Sequence, residues 1–302
     1  MNNKLVAVVD LGSLKAKLMV FDTQTLDVIL QKSYLTLLGK SISEEGIVVE
    51  EALNRLDEAL STIKNELASL NCVDMKFIAT ESLRIAKNTE DVYLVVEKYF
   101  PGHNVTILEQ GLEGEMFFWV VSRCFVDQPI VTMDVGGGSV QILHGTFQNN
   151  QNQHSIHNKY LYKTGTYKLQ QKYSPDNSII SQEFDGAIDD IKKEFNSLDI
   201  NNDTLIFGST CMQDFLKESG ITLYDDRPIK KHPFYTTIQD LKELLAKLRQ
   251  FSPDNRSHFY PSGEYFIYGA DYLLANVIEA AERLEAKYIY PTNMNSSYGF
   301  TQ

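Results

Sequence analysis

The feature that most restricts what this chain can fold into is a motif written twice. Val8-Val9-Asp10-Leu11-Gly12-Ser13 near the start is answered in the second half by Thr132-Met133-Asp134-Val135-Gly136-Gly137-Gly138-Ser139. In each copy a run of β-forming residues ends on an Asp, a small turn follows, and another strand-like run begins. One carboxylate is thereby set at each of two strand-to-turn corners, within backbone bare enough to approach a phosphate. A single Asp-x-Gly turn is common and means little. The repetition implies a duplicated fold with the site between its halves, two corners facing each other across a cleft and holding a metal-bound phosphate chain.

At 302 residues the chain has room for two domains of about 150 residues each. Asp127-Gln128-Pro129 interrupts the pattern, so the expected domains are 1–126 and 127–302, with the long last helix able to cross back to the first. Strands are expected over Lys4–Asp10, Lys15–Asp22 and Asp27–Leu38. Leu53, Leu56, Leu60, Ile63, Leu67 and Leu70 then alternate three- and four-residue spacings, the stripe of an amphipathic helix. Strand, helix, strand, helix follow at Met75–Ala79, Asp91–Tyr99, Val105–Leu108 and Leu112–Phe125, which indicates a mostly parallel sheet with helices against it. The second half starts over with Pro129–Asp134, Ser139–Phe147 and Ser155–Tyr162, the Asn/Gln-rich Gln148–Gln153 forming an exposed hairpin loop. Helices near Ser181–Phe195, Met212–Glu218, Thr237–Phe251 and Tyr265–Leu284, and strands at Thr204–Phe207 and Tyr288–Tyr290, complete it.

Composition narrows the partners. A net charge of −12 repels nucleic acid and any long polyanion wrapped over the surface, but not a small phosphorylated substrate carrying Mg²⁺. No run approaches the roughly 20 apolar residues that span a bilayer, and the start lacks signal-peptide architecture. Cys72, Cys124 and Cys211 are odd in number and far apart, which suits buried thiols in a reducing compartment, so a cytoplasmic protein with no membrane partner is expected. His144, His154 and His157 do not project to one point from a hairpin and read as solvated.

Five segments, in order, resemble the exopolyphosphatase/guanosine pentaphosphate phosphatase (Ppx/GppA) family, in its short two-domain form. Ala79-Thr80-Glu81-Ser82-Leu83-Arg84-Ile85-Ala86-Lys87-Asn88 is similar to A-T-S-A-x-R-x-A-x-N, and Asp134-Val135-Gly136-Gly137-Gly138-Ser139 to D-I-G-G-G-S. Asp10-Leu11-Gly12-Ser13, Gly111-Leu112-Glu113 and Gly165-Thr166-Tyr167-Lys168-Leu169 are weaker matches to D-x-G-S-N-S, I-S-G-x-E-E and G-x-V-R-L. The resemblance implies an α/β protein of two ribonuclease-H-like domains, of the actin–hexokinase superfamily, flanking a cleft. It also implies a homodimer, although no motif specifies one.

Asp10 and Asp134 are the candidates for Mg²⁺ and its water shell, since a hard cation prefers carboxylate oxygen and keeps waters while bridging phosphates. Gly12, Ser13, Gly136, Gly137, Gly138 and Ser139 would offer backbone N–H groups to phosphate oxygens. Glu113 has the spacing of the family's catalytic Glu and could deprotonate an attacking water, with Glu115 close enough to leave the register open. Arg84 could grip a phosphate with its planar fork, with Lys87 assisting, and Lys15 and Lys168 add cations.

The departures fall inside the motifs. Leu14, Lys15 and Lys17 stand where the family has Asn, Ser and Arg; Gly114 replaces the second acid; Val140-Gln141 replaces Thr-Glu; Lys168 replaces an Arg, and Ser297 falls where a C-terminal Arg is expected. The turn at Phe207-Gly208-Ser209-Thr210 is shortened. Each Arg-to-Lys change gives up a bidentate clamp. Two classes of function follow: a Mg²⁺-dependent phosphoanhydride hydrolase, weakened by these losses, that releases terminal phosphate from polyphosphate or guanosine pentaphosphate, and a non-catalytic sensor that binds a nucleotide or alarmone. A kinase of the same superfamily ranks last, for want of an acceptor-site motif.

Overall fold

The computed structural model describes residues 5–25, 27–40, 42–70, 72–174, 181–209, 212–225, 234–251 and 269–301. It divides into two units, Met1–Glu113 with Ser297–Gln302, and Gly114–Ser296.

In the first unit β1 (Leu5–Leu11), β2 (Lys15–Asp22) and β3 (Val28–Leu35) form an antiparallel meander. After α1 (Ile42–Glu45) and α2 (Glu50–Leu67), β4 (Cys72–Ala79) returns parallel to β1. Then α3 (Glu81–Ile85) and α4 (Thr89–Tyr99) lead to β5 (Val105–Ile107), parallel to β4. The sheet order is β3-β2-β1-β4-β5. Because β1 is central, its residues are buried on both sides, hence its unbroken apolar run. The leucine stripe of α2 does what its spacing predicts: Leu56, Leu60, Ile63 and Leu67 enter the core, while Glu50 and Glu51 in its first turn suit the helix dipole.

In the second unit β6 (Pro129–Val135), β7 (Val140–Gln148) and β8 (Gln153–Tyr162) repeat the meander. A single 3-10 turn at Asn149–Gln151 closes the Asn/Gln-rich hairpin. Next come α6 (Thr166–Tyr173), α7 (Ser181–Glu194), β9 (Thr204–Gly208), α8 (Met212–Glu218), α9 (Ile238–Leu248), α10 (Ala270–Leu284) and β10 (Tyr288–Thr292). The order β10-β9-β6-β7-β8 is the plan of the first sheet, strand for strand, with three antiparallel and then two parallel partners. Two ribonuclease-H-like α/β domains are therefore present.

Both faces of the second sheet are covered. Val131, Met133, Ile142, Leu205 and Phe207 pack with α6, α7, α9 and α10. Ile130, Leu143, Ile206 and Tyr290 take the other face, with Phe117, Phe118 and Val121 of α5 (Gln110–Ser122). The division between units falls within α5. The long helix α10 lies in the second unit, and the 3-10 segment Ser296–Thr301 carries the chain into the first, where Tyr298 meets Phe21 edge-on at 4.8 Å.

One sequence expectation changes. His154 is not solvated: it is half-buried, its Nδ1 3.0 Å from Ser122 Oγ and its ring against Phe147 at 4.7 Å. A β8 bulge brings His157, itself exposed, to 5.4 Å from His144, ring to ring. Cys72 and Cys124 are partly buried and form no disulfide among the described residues, whereas Cys211 and Thr210 lie outside the described residues. Among the described residues no helix is long and apolar enough to cross a membrane.

Candidate phosphate-binding corners

Each half closes its first hairpin with the same joint. In the first, Asp10 is opposite Lys17 and Leu11 opposite Ala16, and the Gly12 N–H donates to the Lys15 carbonyl at 3.0 Å. In the second, Asp134 is opposite Gln141 and Val135 opposite Val140, and the Gly136 N–H donates to the Ser139 carbonyl at 2.9 Å. A β-carbon on Gly12 would come within 3.1 Å of the Lys15 oxygen, and one on Gly136 within 3.2 Å of the Ser139 oxygen. A methyl at either place would press on the carbonyl that closes the turn, which would have to give by a few tenths of an ångström.

What lies behind each turn decides which way its peptides face. In the second unit the N–H of Thr166 donates to Gly136 O at 3.0 Å, and those of Tyr167 and Lys168 to Gly137 O at 2.8 and 3.1 Å. The first N–H groups of α6, unpaired within any helix, are thus satisfied by the loop. Because a trans peptide carries its C=O and N–H on opposite sides, the Gly137 and Gly138 N–H groups turn away from α6. Among the described residues neither meets an acceptor, which leaves two adjacent main-chain donors unused by the fold. In the first unit Ser13 O accepts from Gly39 N–H at 2.8 Å, and Leu14 O from Thr36 and Leu37. The Leu14 N–H is turned outward in the same way. No motif marks Gly39 in the sequence, although it follows the third strand as Gly165 follows β8.

Side chains furnish the corners unequally. Asp10 is buried; one oxygen, Oδ2, is 3.5 Å from Lys17 Nζ, while Oδ1 is enclosed without a hydrogen-bond partner. Ser82 Oγ donates to Ser13 Oγ at 2.7 Å, both buried. At the second corner Asp134, Ser139 and Gln141 are all buried, and Gln141 Nε2 donates to Ser139 Oγ at 2.9 Å. Lys15 and Lys168 are half-exposed, and Lys87 is exposed.

Helix α3, not foreseen from the sequence, starts directly after β4 and places Arg84 over β5 and α5. Its Nη1 donates to Leu108 O at 2.5 Å and to Glu113 Oε2 at 3.1 Å, and Nη2 is 3.7 Å from Glu81. The structure thus brings Arg84 and Glu113 together. It also separates the two acids of α5, for Glu113 is buried beside Arg84 whereas Glu115 pairs with Lys159 in the second unit. Gly114 between them is explained by packing: a β-carbon there would lie 2.8 Å from both Gln141 Cβ and Leu143 Cδ1.

Among the described residues no three His, Cys, Asp or Glu side chains gather to cage a metal. Asp134 with the oxygen-bearing Gln141 and Ser139 instead suits a hard cation that retains most of its waters, which is the habit of Mg²⁺.

Fold and corners together define a class: a double ribonuclease-H-like α/β protein with the same Asp-bearing glycine turn in each half. The family model for the Ppx/GppA phosphatase family matches residues 19–264, and the chain belongs to that family. Guanosine-5'-triphosphate,3'-diphosphate pyrophosphatase of Aliivibrio fischeri (strain MJ11) is 25% identical over 190 residues, covering 61% of this chain and 36% of the relative. The protein of that name from Pseudoalteromonas translucida is 28% identical over 147 residues, 46% of this chain and 28% of the relative. The chain spans about a third of the length of these curated relatives. Among solved structures, the Aquifex aeolicus Ppx/GppA family member superposes with a TM-score of 0.74 at 20% identity, over 98% of this chain and 96% of that one. An exopolyphosphatase from Cytophaga hutchinsonii gives 0.74 at 17%, over 98% and 96%. At such identities these two speak for the fold.

Proposed function

We propose that this chain is a Mg²⁺-dependent phosphoanhydride hydrolase that releases terminal phosphate from polyphosphate or guanosine pentaphosphate. The observation that carries the reading is the outward pair of Gly137 and Gly138 N–H groups beside buried Asp134, held by α6. The names of the relatives support the substrate class. Ser139 and Lys168, with Gly12, Ser13 and Lys15 of the first corner, add donors and charge for phosphate oxygens. Glu113, oriented by Arg84, takes the proton of a water whose oxygen attacks the terminal phosphorus as the anhydride P–O bond breaks. Mg²⁺ at Asp134 would supply charge neutralisation on the transferred group.

Phosphate release with Mg²⁺ from both substrates tests it. Glu113→Gln should lower the rate by about 10²–10⁴-fold, the usual worth of a general base. An unchanged rate would reject Glu113 as the base, and no release from either substrate would reject the hydrolase. A binding-only sensor is the second reading. It is favoured by the packing of Gly114 on Gln141, which fills with uncharged groups two places where the family has acids. Calorimetry with guanosine pentaphosphate that shows affinity without turnover would select it.

A further inference from the structure

The two corners match in backbone and differ in the residue facing the Asp across the hairpin. At the same register position the first sheet carries Lys17 opposite Asp10 and the second carries Gln141 opposite Asp134. We propose that Lys17 is the built-in cation of the first corner: its ammonium occupies the charge position beside Asp10, keeps a divalent ion from settling there, and leaves divalent binding to Asp134. This deepens the hydrolase reading and rests on it only for the choice of a divalent cation.

Three observations carry the inference. Lys17 Nζ stands 3.5 Å from Asp10 Oδ2. Both side chains are largely withdrawn from solvent, at 23% and 9% exposure, so their interaction is weakly screened. Asp10 Oδ1 is enclosed with no hydrogen-bond partner. The carboxylate therefore has ligand capacity to spare, and charge, not the number of oxygens, decides what it accepts. A divalent ion entering beside Asp10 would lie within a few ångströms of a fixed positive charge, a repulsion that stays substantial even at high effective dielectric. Gln141, at the matching position opposite Asp134, carries no charge of its own.

The test is Mn²⁺ binding, read by the loss of the free-ion paramagnetic resonance signal, with no substrate and no turnover. The variant is Lys17→Gln, which gives the first hairpin the Asp–Gln pairing that the second already holds. Lys17→Gln should bind Mn²⁺ at least about tenfold more tightly than the wild type, or take up one additional ion. Adding Asp10→Asn to it should abolish the gain. Lys17→Met, which also lacks the charge but offers no amide, should reproduce it, and unchanged melting curves would show that both variants are folded. Wild-type stoichiometry and affinity in Lys17→Gln and Lys17→Met, or a gain that persists without Asp10, would overturn the inference. Since no hydrolysis is measured, that failure is separate from failure of the hydrolase reading, which the phosphate-release assay reports alone.

Discussion

Gly165 is pressed onto Gly138: a β-carbon on Gly165 would lie 2.1 Å from the Gly138 carbonyl carbon and 2.4 Å from the Ser139 nitrogen. Both obstacles are backbone, so neither can swing aside. Gly165→Ala must push the second corner's turn away from α6 and break the bonds that aim the Gly137 and Gly138 N–H groups. The expected loss of stability is at least about 3 kcal/mol, the upper end of ordinary overpacking. Chemical denaturation measures it, and a loss below about 1 kcal/mol would show that the turn is not held this way.

Gly114 lies inside a helix, where replacement by Ala usually gains up to about 1 kcal/mol. Here the added methyl meets Gln141 Cβ, close to its own backbone, and Leu143 Cδ1 at 2.8 Å. Overpacking costs about 1–3 kcal/mol and outweighs the propensity gain, so Gly114→Ala should destabilise. Gly114→Glu, which restores the family's acidic pair in sequence, should destabilise further and raise no phosphatase activity. A stabilised Gly114→Ala would refute the close packing of α5 on β7.

His154 makes stability depend on pH. Burial, with Arg123 adding repulsion, lowers its pKa below the ordinary 6.5, and its Nε2 is enclosed without a partner. The unfolded chain therefore takes up the proton first. Its contribution is complete above about pH 6.5 and is lost progressively as pH falls toward the lower folded value. Melting temperatures at pH 8 and pH 5.5 should differ more for the wild type than for His154→Phe. Equal differences would mean that this histidine is not the sensitive group.

The Ser82–Ser13 pair ties α3 to the first hairpin at 2.7 Å. Ser82→Ala removes the donor in a buried setting and should cost about 0.5–1.5 kcal/mol. In a double-mutant cycle with Ser13→Ala the two losses should fail to add by about 0.5 kcal/mol or more. Strict additivity would show the hydroxyls to be energetically independent.

Much of this architecture could be read from the chain because it rests on local rules. The doubled meander follows from two apolar runs ending at Asp10 and Asp134, and the spacing of the leucines from Leu53 to Leu67 gave α2. What could not be read depends on contacts distant in sequence. Helix α3 is a single turn too short for any periodicity. Helix α6 is mostly polar, and the loop that satisfies its first N–H groups lies some thirty residues earlier. Gly114 looked like a missing acid, because only the distance to Gln141 gives the reason for it. His154 looked solvated, because its aromatic neighbours come from α5 and β7. The motif around Arg84 points only to a phosphate ligand, and its bonds to Leu108 and Glu113 hold it against the acid of α5.

The shared hairpin joint has a consequence for how such a protein can change. The bond from Gly12 to Lys15 and its twin from Gly136 to Ser139 fix the fold of each half with main-chain atoms. The residues facing each Asp, Lys17 and Gln141, stand on the next strand, outside those main-chain bonds. One half can therefore exchange its charge while the other keeps its own, with the main-chain joint unchanged in both. A duplicated protein built this way can evolve the grip of its two hands separately.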